Sequence, residues 1–218
     1  MTREEEKRAA AARAAELVRD GMRVGLGTGS TVSYLLTELA ERHPRASYVA
    51  SSPRTEAMAR QCGLTLLGDD EWDRLDLTID GADQVAPDGW LIKGGGGAHA
   101  REKILASGAE RFVVIVDASK VVARLGAPVP LEIGRFGWGA TLWHLGALRR
   151  RDAPETPDGG LLFDYLGPVD APRALAERFS SCPGVLAHGL FAPELVDAVL
   201  VGADRQLSFD TLGGPVER

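Results

Sequence analysis

Four times in the stretch from residue 22 to residue 120, a short, mostly apolar run stands directly before a cluster of glycines or carboxylates. Residues 22–26 run into Gly25-Leu26-Gly27-Thr28-Gly29-Ser30-Thr31, and 75–79 into Asp80-Gly81-Ala82-Asp83. Residues 90–92 precede Lys93-Gly94-Gly95-Gly96-Gly97-Ala98, and 112–116 precede Asp117-Ala118-Ser119-Lys120. Short apolar runs closed by turn residues suit the strands of a buried sheet. Helical spacing fills the gaps: 4–19, stopped by Asp20-Gly21; 31–41, through Val32, Leu35, Leu36 and Leu39; 55–62; and 103–109. With further strands expected at 48–50 and 64–67, the alternation predicts an α/β domain with a mostly parallel sheet covered on both faces.

The texture changes near Leu125. Strands are expected at 131–133, 161–165 and 185–190, and helices at 139–150 and 171–179. This reads as a small α+β unit, 128–194, inserted into a first domain of 1–127 plus 195–218, with 197–201 as a last parallel strand. Trp138 and Trp143 are expected in its core, and Arg149-Arg150-Arg151 as a solvated helix end stabilised by the helix dipole.

Composition narrows the function. A net charge of -6 argues against a general nucleic-acid or membrane-surface binder, while leaving room for a local basic pocket for a small anion. Cys62 and Cys182 stand in no CxxC pair, as free thiols of a reducing compartment do. No apolar signal-peptide core opens the chain, and 112–116 is too short to span a bilayer. The expected location is the cytoplasm.

The strand-end motifs are the candidate chemistry. In the first, three glycines let the backbone approach a ligand, the helix that follows offers free N–H groups, and Ser30 and Thr31 add hydroxyls. That suits a phosphate, against the plainer alternative of a tight turn that binds nothing. Neither a Walker A loop nor a dinucleotide fingerprint fits the spacing. Asp80 and Asp83 suit hydroxyl binding, acid–base work or part of a metal site, against a turn with a helix cap; a metal needs more ligands than the motif supplies. Four glycines in a row are costly to order, so Lys93 to Gly97 reads as backbone lying against a ligand, with Lys93 neutralising an oxyanion or phosphate. Glu102 is a general base if burial raises its pKa, and otherwise part of a solvated first turn with Arg101 and Lys103. Asp117 and Ser119 are as well explained as caps, with Lys120 solvated. The four histidines show no metal spacing.

Taken together, GLGTGST, DGAD, KGGGGA-x-x-REK and DASK, in this order and spacing, resemble the A-type ribose-5-phosphate isomerases over nearly the whole chain. The resemblance implies a Rossmann-like α/β domain with an inserted ferredoxin-like lid, and a homodimer or homotetramer. It implies interconversion of ribose 5-phosphate and ribulose 5-phosphate through an enediol(ate), with no metal or nucleotide cofactor. Carried over by motif, Thr28, Gly29, Ser30 and Thr31 line the substrate site, with the phosphate as occupant. Asp80, Gly81, Ala82, Asp83, Lys93, Gly94, Gly95 and Gly96 line the sugar. Glu102 is the base, Lys93 and the glycine N–H groups hold the enediolate, Asp80 and Asp83 hold hydroxyls, and Lys120 is a further substrate contact. Lys7 is placed on a helix near the phosphate. Gln84, His99-Ala100 and 134–138 depart from the family pattern without removing a proposed catalytic group. The alternatives are a non-catalytic sugar-phosphate sensor, which usually carries a DNA-binding segment for which this chain has no room, a related sugar-phosphate isomerase, a CoA- or acyl-transferring enzyme, and a nucleotide-binding oxidoreductase.

Overall fold

The computed structural model describes residues 1–202, 205–209 and 215–217; the rest of the expected 195–218 segment lies outside the described residues. The chain opens with α1 (Arg3–Ala15), β1 (Arg23–Leu26), α2 (Ser30–Arg42), β2 (Ser47–Ala50), α3 (Pro53–Gln61), β3 (Thr65–Leu66) and β4 (Leu77–Asp80). A short hairpin, β5 (Gln84–Val85) and β6 (Leu91–Ile92), leads to α4 (His99–Ser107) and β7 (Phe112–Val116). Then come β8 (Val129–Ile133), α5 (Trp138–Leu145), β9 (Leu148–Arg150), β10 (Leu161–Tyr165), α6 (Pro172–Ser180) and β11 (Val185–His188). The chain returns through β12 (Leu190–Phe191), β13 (Ala198–Val201), β14 (Arg205–Phe209) and β15 (Pro215–Glu217).

The central sheet has the order β15-β14-β13-β7-β4-β1-β2-β3. From β3 to β13 every pair is parallel, and β14 and β15 extend it antiparallel. Its middle strands are buried throughout, as parallel strands under helices must be. α1 starts with a capping box between Thr2 and Glu5, and its buried stripe Ala10, Ala11, Ala14 and Ala15 lets it lie close on the core with α2. It ends at Ala15, earlier than the expected 19, where Leu17 and Val18 N–H turn back to Ala14 and Ala15 carbonyls.

The second sheet has the order β11-β8-β10-β9, all antiparallel. In chain order its elements run strand, helix, strand, strand, helix, strand, with strands ordered fourth, first, third, second: the ferredoxin-like pattern. The expected helix to Arg150 is corrected here. Gly146, at φ 64°, ends α5, and Leu148–Arg150 pairs with β10 instead. The arginine run is therefore strand and strand end, not a helix terminus. Trp138 packs on Phe163 but is 38% exposed, and Trp143 is 82% exposed, so the core placement of both is also corrected.

The expected strand at 185–190 is broken. Gly189 carries the chain from β11 in the second sheet to β12, which pairs with β6 in a third sheet, β12-β6-β5. A Cβ there would lie 2.2 Å from the Lys93 carbonyl. Among the described residues, no helix is long and apolar enough to cross a membrane.

From β1 the central sheet grows one way through β2 and β3, and the other way through β4, β7 and β13. The reversal falls between β1 and β4. Ligands of open α/β sheets bind at the carboxyl ends of strands beside such a reversal.

Candidate active site

The loops after β1 and β4 meet at that point. A Cβ on Gly27 would fall 1.8 Å from the Asp80 carboxylate, so glycine is required for the two loops to close. Asp80 Oδ1 accepts the Thr28 N–H at 3.1 Å and the Gly81 N–H at 2.7 Å. Lys93, just past β6, donates to Asp80 Oδ2 at 2.7 Å and to the Gly81 carbonyl at 2.5 Å. Glu102, on the first turn of α4, brings Oε2 to 3.2 Å from Lys93 Nζ. α4 begins at His99, four residues earlier than the spacing predicts, and this turns Glu102 inward. The three side chains are 0%, 2% and 3% exposed for Asp80, Lys93 and Glu102.

Lys93 and Glu102 reach the wall of a cleft of about 630 Å³, counted to its open mouth, a size suited to a small metabolite. Thr28, Gly29, Ser30, Thr31, Gly81, Ala82, Asp83, Gly94, Gly95, Gly96 and Lys120 line it too. Of the residues expected at the site, Asp80 does not line the cleft: it sits behind Lys93 with both carboxylate oxygens engaged. Asp83 does, with Oδ2 accepting the Gly95 N–H at 2.7 Å. The Thr28 hydroxyl is occupied in a cluster with Ser51, Ser52 and Thr55, so Thr28 faces the cleft without offering a free hydroxyl.

One end of the cleft is basic. Arg3, Lys7 and Lys120 line it together with the Asp117 carboxylate, 3.8 Å from Arg3, beside the start of α2, whose first turn has no side-chain cap; the cations outnumber the carboxylate there. Free helix N–H groups and three cations together suit a phosphate. Asp117 caps the short turn Ala118–Lys120 by accepting from Ser119, so the capping alternative holds for those two residues, and Asp117 and Lys120 both line the cleft.

Burial raises the Glu102 pKa to about 8; the Asp80 charge adds to the rise and Lys93 opposes it. Burial also raises Asp80, against the pull of Lys93. Burial alone would lower Lys93, but the Asp80 and Glu102 carboxylates outweigh it and hold the ammonium above its ordinary value. The site therefore contains a carboxyl poised near neutral pH beside a fixed cation, which is the equipment for moving a proton next to a developing oxyanion. Among the described residues, no three His, Cys, Asp or Glu side chains gather as a metal site.

Four residues escape the sequence. Arg3 lines the cleft from what reads as an ordinary charged helix start. Lys103, beside Glu102, is half-buried rather than solvated: Nζ donates to the His188 and Leu190 carbonyls at 2.6 Å and 2.9 Å, pinning α4 to the crossing at Gly189. Burial lowers its pKa to about 7. His99 is buried, with neither ring nitrogen hydrogen-bonded, and burial lowers it to about 3. Arg151, the fourth, bridges the second sheet and the glycine loop. A strand reading of 148–151 would have put Arg149 and Arg151 on one face, and both contact Asp164.

The family model described as Ribose 5-phosphate isomerase A (phosphoriboisomerase A) matches residues 47–206. A protein of Rhodopseudomonas palustris named Ribose-5-phosphate isomerase A is 46% identical over 225 residues, covering 94% of this chain and 97% of its own length. The crystal structure of ribose 5 phosphate isomerase A from Neisseria gonorrhoeae superposes with a TM-score of 0.88 at 32% identity, covering 99% of this chain and 96% of that one. A D-ribose-5-phosphate isomerase in complex with phospho-erythronic acid also gives 0.88, at 31% identity, covering 100% and 99%. The chain belongs to the ribose 5-phosphate isomerase A family.

Proposed function

We infer that this chain interconverts D-ribose 5-phosphate and D-ribulose 5-phosphate. Beyond family membership, the observation that supports this most is the buried Glu102–Lys93 pair opening on a cleft with a basic end. The open-chain aldose lies with its phosphate toward Arg3, Lys7, Lys120 and the start of α2, and its carbonyl end toward Lys93. The Glu102 carboxylate removes the proton from C2. The C1 carbonyl electrons move onto O1, a C1–C2 double bond forms, and Lys93 with the glycine-loop N–H groups stabilises the enediolate. Proton transfer between O1 and O2 follows, and Glu102 returns its proton to C1 as the ketone forms at C2. One carboxylate reaches both adjacent carbons.

Asp80 acts through Lys93, fixing and charging it. Asp83 is the carboxylate that faces the sugar hydroxyls. The reading calls for no metal, so turnover is expected to survive EDTA. We also propose that 128–194 acts as a lid on the domain formed by 1–127 and 195–218, with the return to that domain starting at the Gly189 crossing. A cytoplasmic homodimer or homotetramer without nucleic-acid or membrane partners agrees with the acidic charge, the free Cys62 and Cys182, and the exposed Phe136 and Trp143.

The test is direct conversion of ribose 5-phosphate. Wild-type turnover is expected, and a kcat at least about 100-fold lower in folded Glu102→Gln. A folded wild type that binds the sugar phosphate without converting it would favour the sensor alternative.

A further inference from the structure

The glycine loop is a turn: Gly97 N–H donates to the Gly94 carbonyl at 3.0 Å. Its central peptide unit joins the Gly95 carbonyl to the Gly96 N–H. Rotating that unit by about 180° interconverts the two common turn types, and glycine at both central positions removes the steric reason to prefer either. Something outside the turn must choose its direction.

Arg151 is placed to choose. Its Nη1 donates to the Gly94 carbonyl at 2.8 Å and to the Gly95 carbonyl at 3.2 Å. Its Nε and Nη2 donate to Asp164 Oδ1 at 2.9 Å and 2.6 Å, so the guanidinium is fixed from the lid side by β10. Arg151 is not among the residues lining the cleft, whereas Gly94, Gly95 and Gly96 are. A trans peptide points its N–H opposite its carbonyl. With the Gly95 carbonyl drawn to Arg151, the Gly96 N–H points away from the lid arginine, and it has no partner among the described residues. The preceding N–H, of Gly95, is already taken by Asp83.

We propose that Arg151, held by Asp164, is a positioning residue: it fixes the central peptide of the Gly94–Gly97 turn so that the Gly96 N–H faces the enediolate oxygen. The lid thereby sets a catalytic donor without touching substrate. This deepens the isomerase reading and rests on it for the identity of the oxyanion.

The variants are Arg151→Met, Arg151→Lys and Asp164→Asn in the full-length chain. Arg151→Met is expected to lower kcat for ribose 5-phosphate about 10- to 100-fold with KM within about threefold, because the donor matters in the transition state. Affinity for phospho-erythronic acid, whose carboxylate carries the negative charge that the enediolate develops, should fall in parallel with kcat, and affinity for inorganic phosphate should not. Arg151→Lys keeps the charge beside Asp164 but has no rigid fork, and should recover part of the loss; it also serves if Arg151→Met does not fold. Asp164→Asn should act in the same direction more weakly. In the ligand-free protein, the Gly96 amide resonance should shift or broaden in Arg151→Met. Unchanged kcat per folded site, a change confined to KM, or an unmoved Gly96 resonance would overturn the proposal. A wild type that does not turn over ribose 5-phosphate would instead overturn the isomerase reading, and the amide measurement would still decide the role of Arg151.

Discussion

The Glu102 carboxylate stands 3.2 Å from the Lys93 ammonium, in a place where neither side chain is more than 3% exposed. Lys93 also serves Asp80 at 2.7 Å, so two buried carboxylates share one cation. Asp80 is saturated by two backbone N–H groups besides, whereas Glu102 Oε2 has no hydrogen bond of good geometry. Of the two carboxylates, the poorly satisfied one is thus the one that faces the cleft. A carboxylate left short of partners is the more basic one.

The pH profile follows. Burial, then the Asp80 charge, raises Glu102 to about 8, and a base works only when deprotonated. kcat/KM should therefore rise with pH through an ionisation near 8 and fall toward acid. Asp80→Asn removes the like charge and should move that limb to lower pH, with a lower maximum because Lys93 loses its anchor. Initial-rate profiles of both proteins check this.

Stability should carry the same signature with the opposite sign. Because the folded-state pKa of Glu102 is raised from 4.5 to about 8, the folded protein keeps a proton that the unfolded chain releases across that window. The Glu102 contribution to stability is present below the lower value and is lost as pH rises through the upper one. Glu102→Gln removes this dependence, so its Tm relative to wild type should become more favourable from pH 4.5 to pH 8, by about 2–4 °C per kcal/mol. Thermal melts at the two ends of the window measure it.

Lys93→Met should lower kcat and kcat/KM together, by about 100- to 1,000-fold if Lys93 acts in the transition state. It also leaves two buried carboxylates without their cation, at a cost of about 3–5 kcal/mol. Glu102 should then titrate higher still. Steady-state kinetics and denaturant melts separate the two effects; a rise in KM alone would make Lys93 a binding residue.

Two glycines make a contrasting pair. Gly189→Ala drives a Cβ to 2.2 Å from the Lys93 carbonyl and should destabilise the protein and disturb Lys93 itself. Gly139, inside α5, has nothing within 4 Å of an added Cβ. Gly139→Ala should stabilise the protein by about 0.5–1 kcal/mol without changing turnover. Melting curves and activity of the two variants provide the comparison.

What the sequence could announce was set by how local each signal is. GLGTGST, DGAD and the glycine run each sit at the end of an apolar run, so their convergence on one sheet edge follows from α/β topology. The burial of Glu102 was not legible, because REK is also an ordinary solvated helix start; its depth depends on α4 beginning at His99. Asp80 and Asp83 look alike in sequence, and only the approach of Gly27 and Lys93 makes the first an anchor. Arg151 stayed hidden because a charge run after a helical segment reads as helix end, and its partners Asp164 and Gly94 lie far along the chain. The exposed Trp143 breaks the usual link between aromatic residues and core.

The most direct measurement is conversion of ribose 5-phosphate in D2O by wild type and by folded Glu102→Gln. A base that carries one proton between C2 and C1 through an enediolate predicts turnover in the wild type, solvent deuterium in the ribulose 5-phosphate formed, and a loss of at least about 100-fold in the variant. Near-normal turnover by Glu102→Gln would contradict the role given to that carboxylate and, with it, the mechanism proposed for this site.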